Sequence, residues 1–237
     1  MAWKTLPHSP VSPVIPGIWQ VQGTLPGGNP LPRTMAIWAL PDGGLCIHSA
    51  INLDEPAMDI LLELGEPRVL VVPNRFHRMD AQAWKERFPA LEVLAPTAAR
   101  QQVDKVIKTD GACEDRLPAL GTECLQGGGL KPLELVYKVP GSDGGHALVF
   151  TDTFFNLPEH FGGFTGLLMR YITGSTGIVG ISRLGRLLGM SSAPQYADWL
   201  EAQKTAELRA LIPGHGAPFV GPEACADALD QAIQNLR

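Results

Sequence analysis

Four short apolar runs in this chain each give way, at the carboxyl end, to a histidine or an aspartate. "LCIHSAI" brings His48, "RVLVVPNRFHRMDAQAW" brings His77 and Asp80, "ALVFTDTFFN" brings Asp152, and "RALIPGHG" brings His215. Short apolar runs bounded by turn residues read as buried strands. Strand ends are rigid, and rigid backbone is what a site built from neutral imidazoles and ionised carboxylates needs. The recurrence therefore favours folds that gather several strand ends in one place. Glycines on both sides of His215 permit a tight turn and let other backbone or a ligand approach closely. Plainer roles stand beside these. His215 can be a solvated loop residue, Asp80 a helix cap, Asp152 a turn residue and His48 a hydrogen-bonded core residue. His8, His146 and His160 read as surface or turn residues.

The rest of the pattern supplies partners for these strands. "GIWQVQG" and "TMAIWALPDGGLCIHSAI" alternate or run apolar, and Asp42-Gly43-Gly44 is turn chemistry, which predicts a hairpin. "LDEPAMDILLELG" predicts a helix with an acidic first turn and Gly65 as its stop. "PRVLVVP", "LEVLAP", "LELVYKV" and "HALVFTDTFF" predict strands; "AQAWKERF", "TAARQQVDKVIK", Pro194 to Leu208 and Pro222 to Leu236 predict helices. Thr109 to Lys131, rich in glycine, reads as loop. Strands arrive in two batches, each interleaved with helices, which suits two sheets packed face to face with helices outside. A doubly wound parallel sheet is the competitor, but no G-x-G-x-x-G or G-K-[ST] loop follows any strand. With no repeat and no long linker, a single domain over 1–237 is expected.

The formal charge of −5 argues against a nucleic-acid-binding surface, because phosphate backbones need clustered Lys and Arg. A small-molecule substrate is expected instead. Cys46, Cys113, Cys124 and Cys225 lie far apart with no C-x-x-C pair, so neither a zinc knuckle nor a redox dithiol is encoded, and buried free thiols are expected. The amino terminus is broken by prolines and lacks a signal-like apolar core. No apolar run is long enough to span a bilayer. A soluble cytoplasmic protein with no stable membrane insertion is the expectation.

Taken in order, strand-"IHSAI", strand-"PNRFHRMD", strand-"FTDTFFN" and strand-"PGHG" resemble the landmarks of the metallo-β-lactamase superfamily over most of the chain. More closely, "DGGLCIHSAINLD", "LELGEPRVLVVPN", "WKERFPALEVLAP" and "FTDTFFNLPE" resemble a branch of it, without an assigned reaction, that keeps H-S-P, P-N-x-x-H and D-x-x-F-N patterns. The resemblance implies an α/β fold, a four-layer αββα sandwich of two packed mixed sheets with outer helices, and metals at one edge between the sheets. It puts Asp152 in the place of a bridging aspartate and His215 in that of a terminal histidine ligand. The family's H-x-H-x-D-H stands here as "NRFHRMD", leaving His77 and Asp80 with two registers open. Either His77 takes the second histidine position and Asp80 that of the last histidine, or Asp80 takes the aspartate position and both preceding histidines are lost. Ser142 in "VPGSDGG" replaces the family's middle histidine, and "L-I-D-T-G" has become "CIHSA".

The implied centre is thus reduced: His77, Asp80, Asp152 and His215 around zinc, as few as one ion, with manganese or iron also suited to mixed N/O donors. Such an ion would serve hydrolysis of a small ester, thioester, lactone or phosphoester, with Asp80 as ligand or base. His48 is a further catalytic candidate and Asn74 a substrate-binding one, each able to act from behind the ligands. The alternative is a scaffold that has lost catalysis and binds a ligand or a protein partner. The segment 161–193 mixes glycine with Leu, Ile and Met, and carries Arg170, Arg183 and Arg186 but no acid. Arg183 and Arg186 suit an anionic substrate, or the segment folds over the site as a lid. A pair of packed helices with arginine on the wet face is the plainer account, and a membrane-surface helix is a third.

Overall fold

Residues 3–157 and 159–237 are described in the structure, a computed structural model. The amino-terminal strands build a seven-stranded sheet in chain order. They are β1 (Ser12–Ile15), β2 (Ile18–Gly23), β3 (Arg33–Ala39), β4 (Leu45–His48), β5 (Pro67–Val71), β6 (Glu92–Ala95) and β7 (Gly111–Ala112). β1 to β4 pair antiparallel, and β4 to β7 pair parallel. The β3–β4 hairpin closes through its expected turn: Asp42 Oδ1 accepts the Gly44 N–H at 3.1 Å, and Gly43 takes φ +83°.

The later strands form two further sheets. β8 (Glu123–Leu125), β9 (Val136–Pro140), β10 (His146–Val149), β13 (Leu208–Ile212) and β15 (Phe219–Val220) join in the order β15-β13-β10-β9-β8. A small sheet, β12-β11-β14, combines β11 (Phe155–Leu157), β12 (Ile178–Gly180) and β14 (His215–Gly216). The helices are α1 (Glu55–Leu64), α2 (Ala81–Arg87), α3 (Arg100–Val103), α4 (Cys113–Arg116), α5 (Gly163–Leu168), α6 (Arg183–Gly189), α7 (Ala193–Ala202) and α8 (Pro222–Leu236). Among the described residues, no helix is long and apolar enough to cross a membrane.

Strand periodicity divides the core into three apolar layers. Leu45, Ile47 and Leu70 face α1 and α2, meeting Met58, Leu61 and Trp84. Their neighbours Cys46, Val69 and Val71 face the other sheet, meeting Tyr137, Val149 and Ile212. On that sheet's far side Leu148, Phe150 and Leu211 are covered by Tyr196 and Leu200 of α7 and Leu229 and Ile233 of α8. The result is the expected αββα sandwich.

Several local expectations are corrected. The stretch 109–131 is not all loop but contains β7, α4 and β8. α3 is a single turn, because Asp104 Oδ1 accepts both the backbone N–H and the hydroxyl of Thr109 and closes the chain on itself. α7 stops at Ala202, since Leu208 is drawn into β13 beside β10. His146 is the buried first residue of β10 rather than a surface group.

Topology then aims the strand ends. β4 and β5 are parallel, and so are β10 and β13, so each pair sends its carboxyl ends the same way. Beyond β13 the chain passes too close to other backbone for a side chain at Gly214 or Gly216. A Cβ at Gly214 would stand 2.4 Å from the Thr151 carbonyl oxygen, and one at Gly216, where φ is +102°, 1.9 Å from that of Asn156. These contacts explain the glycines flanking His215. Gly216→Ala is expected to cost about 3 kcal/mol or more in urea unfolding, from strain plus clash. Gly189→Ala, where a Cβ meets nothing within 4 Å, should stay within about 0.5 kcal/mol of wild type. Equal stability of the two variants would show that β14 does not lie against β11.

Candidate functional site

Three strand ends converge on one carboxylate. His215 Nε2 lies 3.0 Å from Asp152 Oδ1, and His77 Nε2 lies 3.2 Å from the same oxygen. One ligand-capable atom from each of the three lies within 4.8 Å of the others. The histidine side chains are less than a tenth exposed, whereas Asp152 is 30% exposed, so the cluster opens to solvent on the carboxylate's side.

The far side of each ring is tied down. His215 Nδ1 lies 2.6 Å from the Pro32 carbonyl, an acceptor only, so Nδ1 carries a hydrogen and donates it. In a neutral ring Nε2 is then a bare lone pair pointed at a carboxylate oxygen. Two acceptors at 3.0 Å are compatible only if a positive charge joins them, either a second ring proton or a cation between them. His77 Nδ1 is 3.0 Å from the Ser49 hydroxyl, which can play either role. Ser49 has φ +57°, the only non-glycine positive φ among the described residues, a strained geometry at the end of β4.

Asn74 braces the carboxylate. Its Oδ1 accepts the backbone N–H groups of Phe76 and His77, folding the turn that presents His77. Its Nδ2 donates to Asp152 Oδ2 at 2.7 Å and to Glu134 Oε2 at 3.3 Å. Glu134, two residues before β9, accepts the backbone N–H groups of Asp152 and Thr153. Burial, and then the charge of Asp152, push the Glu134 carboxyl up to about 7. Burial would also raise Asp152, but the charge of His77 and the hydrogen bonds from both imidazoles outweigh it and hold this carboxyl well below the usual range.

Other expected residues lie elsewhere. Asp80 is not in the cluster: its carboxylate pairs with the Arg33 guanidinium at 2.7 Å and accepts the Asn52 N–H, because a buried arginine requires a counter-charge. His48 is a core residue, its ring 5.2 Å edge-on to Tyr137 and its Nε2 3.4 Å from the Thr151 hydroxyl. Ser142 sits in the β9–β10 turn, donating its N–H to Pro16, and has no part in the cluster; beside Asp152 the second sheet instead brings Glu134. Arg186 donates to the Asn235 carbonyl of α8, and Arg183 is exposed beside Gly174. Neither is bonded to the three converging residues. Of the thiols, Cys46, Cys113 and Cys225 are buried and Cys124 is half-buried, all free.

DIM-1 metallo-β-lactamase superposes with a TM-score of 0.63 at 14% identity, covering 98% of this chain and 100% of that one. A metallo-β-lactamase from Erythrobacter litoralis gives 0.60 at 14% identity, over 94% and 96%. This chain has the metallo-β-lactamase fold. FIM-1 metallo-β-lactamase from Pseudomonas aeruginosa, in its mono-zinc form, gives 0.59 at 12% identity over 99% of both chains. A scan of protein-family models and a search of curated proteins return no match. Metallo-β-lactamase folds at such low identity share architecture, so chemistry must be argued from the side chains present.

His48 gives a test of the cluster's surroundings. Burial, and then the proximity of His77, lower it from 6.5 to about 3. Between those values the unfolded chain binds the extra proton, so stability falls as pH falls. From about pH 7.5 to about pH 5 that amounts to about 2 kcal/mol, while Glu134 works in the opposite sense. In urea unfolding of metal-free protein, His48→Gln is expected to lose about 2 kcal/mol less than wild type on acidification. Equal losses would mean that His48 is solvated or charged.

Proposed function

We propose that this protein is a metal-dependent hydrolase working through a single ion held by His77, Asp152 and His215. The observation that carries this reading is the His215 geometry: a ring whose Nδ1 donates to a carbonyl turns Nε2 onto a carboxylate oxygen that His77 Nε2 also faces, a contact filled either by a ring proton or by a cation. A divalent cation resolves that contact. Two imidazoles and one carboxylate, with an open side, are also the donor set of catalytic zinc sites, which keep three protein ligands and leave a position for water or substrate. The same set suits iron or manganese.

When bound, such an ion supplies Lewis acidity, polarising an ester or phosphoryl oxygen and making water a competent nucleophile at neutral pH. The chain's own residues do the rest. Pro32 fixes the tilt and tautomer of His215 and Ser49 the tilt of His77, as outer partners of metal-binding histidines do. Asn74 holds Asp152 Oδ2 and leaves Oδ1 facing both rings. Glu134 ties down the backbone at Asp152, and the Arg33–Asp80 pair anchors the start of α2 behind His77. The substrate class that fits is a small ester, thioester, lactone or phosphoester reaching the centre from the open side of Asp152. A non-catalytic scaffold with the same fold is the second reading, favoured by a cluster reduced to three donors.

Protein purified without chelator is expected to carry about one metal ion per chain by elemental analysis. His77→Ala and Asp152→Ala should carry none and should lose hydrolysis of a thioester, lactone and phosphodiester panel. Wild type with metal but without turnover across the panel supports the scaffold. Wild type with no more metal than the variants ends the hydrolase reading. Asn74→Ala, which keeps all three donors but frees Asp152, should weaken metal affinity by about 10- to 100-fold in competition with a chromogenic chelator.

A further inference from the structure

The segment from Phe161 to Ser192 holds Arg170, Arg183 and Arg186 and neither aspartate nor glutamate, in a chain of net charge −5. Its apolar residues recur at 164, 167, 168, 171 and 172, the spacing that ordinarily marks the core-facing stripe of a helix. Here the stripe faces outward. Phe164 is 81% exposed, Ile172 69% and Tyr171 61%, while Gly166 and Met169 take the buried side. α6 repeats the pattern: Leu184, Leu187 and Leu188 are exposed, Leu187 at 75%, and no residue of the helix is buried. α6 packs on the turn Met169–Thr173, so the two stripes are neighbours. Soluble domains rarely leave adjoining apolar stripes uncovered.

The inner side of α6, behind its exposed stripe, adjoins the cluster. A Cβ at Gly185 of α6 would lie 3.4 Å from the Asp152 carbonyl oxygen. On the other side, the loop that presents His77 exposes Phe76, with the Arg75 guanidinium 4.6 Å over its ring. Apolar tips beside arginines therefore flank the three converging residues.

We propose that this face docks on an anionic lipid bilayer. Phe164, Ile172 and Leu187 would enter the interface while Arg170 and Arg183 meet headgroup phosphates, the division of labour of an interfacial amphipathic helix. Tyr171, with the Arg170 guanidinium 5.1 Å over its ring, has the amphipathic character of a residue at headgroup level. Charge selects this occupant over a second copy of the chain, because a two-fold contact would set the same arginines against one another with no acid in the segment to offset them. An anionic surface neutralises them. The proposal goes beyond the hydrolase reading and does not require it.

Full-length protein should be sedimented with vesicles of phosphatidylcholine alone and of phosphatidylcholine mixed with phosphatidylglycerol. Wild type is expected on the mixed vesicles, with less bound as salt is raised. The double variants Phe164→Ser/Leu187→Ser and Arg170→Gln/Arg183→Gln should each bind about ten-fold less or weaker, with thermal midpoints unchanged because these side chains are exposed. Asp152→Ala should bind vesicles as wild type does, so failure of the proposed metal centre and failure of docking are separate results. The proposal is overturned if wild type binds neither vesicle, or if the apolar double variant binds undiminished. A concentration-dependent dimer in light scattering, without vesicle binding, overturns it in favour of a second copy.

Discussion

An ionised carboxylate set below the surface must be compensated, and in this fold the compensation of Asp152 organises its surroundings. Two imidazole nitrogens face one oxygen of the group and an asparagine amide holds the other. His77 and Asn74 come from the loop after β5, His215 from the chain beyond β13 and Asp152 from the end of β10, so the cluster exists only when the two sheets are in register. The Pro32 carbonyl, the strained Ser49 and the glycines around His215 are subordinate to it. Pro32 and Ser49 hold the two rings from behind, and the glycines allow backbone to approach where a side chain would collide.

Asp152 and Glu134 share the Asn74 amide, yet their environments push them apart. Asp152 stays ionised because imidazoles outweigh its burial, whereas Glu134, facing no cation, is raised by burial and by Asp152 itself. Two adjacent carboxyls separated in this way divide roles. One presents charge to the open side, and the other stays behind it and secures the backbone. Asp80, the remaining acid of the neighbourhood, is committed to Arg33. In the proposed metal centre that separation leaves a single carboxylate as donor, fewer than the pattern of strand-end residues suggested.

What was legible in the sequence is what depends on local order. His77, Asp152 and His215 were marked by their places after apolar runs. The β3–β4 turn, α1 and α8 followed from turn chemistry, capping and periodicity. The αββα layering followed from two batches of strands and the resemblance carried by "FTDTFFN" and "PGHG". What was not legible depends on tertiary partners. Glu134 is one polar residue ahead of "LVYKV", and nothing near it in sequence shows that it closes over the Asp152 backbone. Asp80 looks like a ligand until Arg33, far away in the chain, arrives to pair with it. Ser49 gave a signal in "IHSAI" that only its positive φ makes meaningful. The small sheet β12-β11-β14 is built from pieces too short for periodicity to reveal, and the outward stripe at 164–172 has the spacing of a buried one.

The account stands on a cation taking the place between His215 Nε2 and Asp152 Oδ1. Crystals of zinc-loaded protein, with anomalous diffraction measured at the zinc edge, test it most directly. The predicted result is one peak at about 2.0–2.2 Å from His77 Nε2, His215 Nε2 and an Asp152 carboxylate oxygen, with Asp80 still paired to Arg33. No peak there, or a peak held by Asp80 or a cysteine instead, would contradict it.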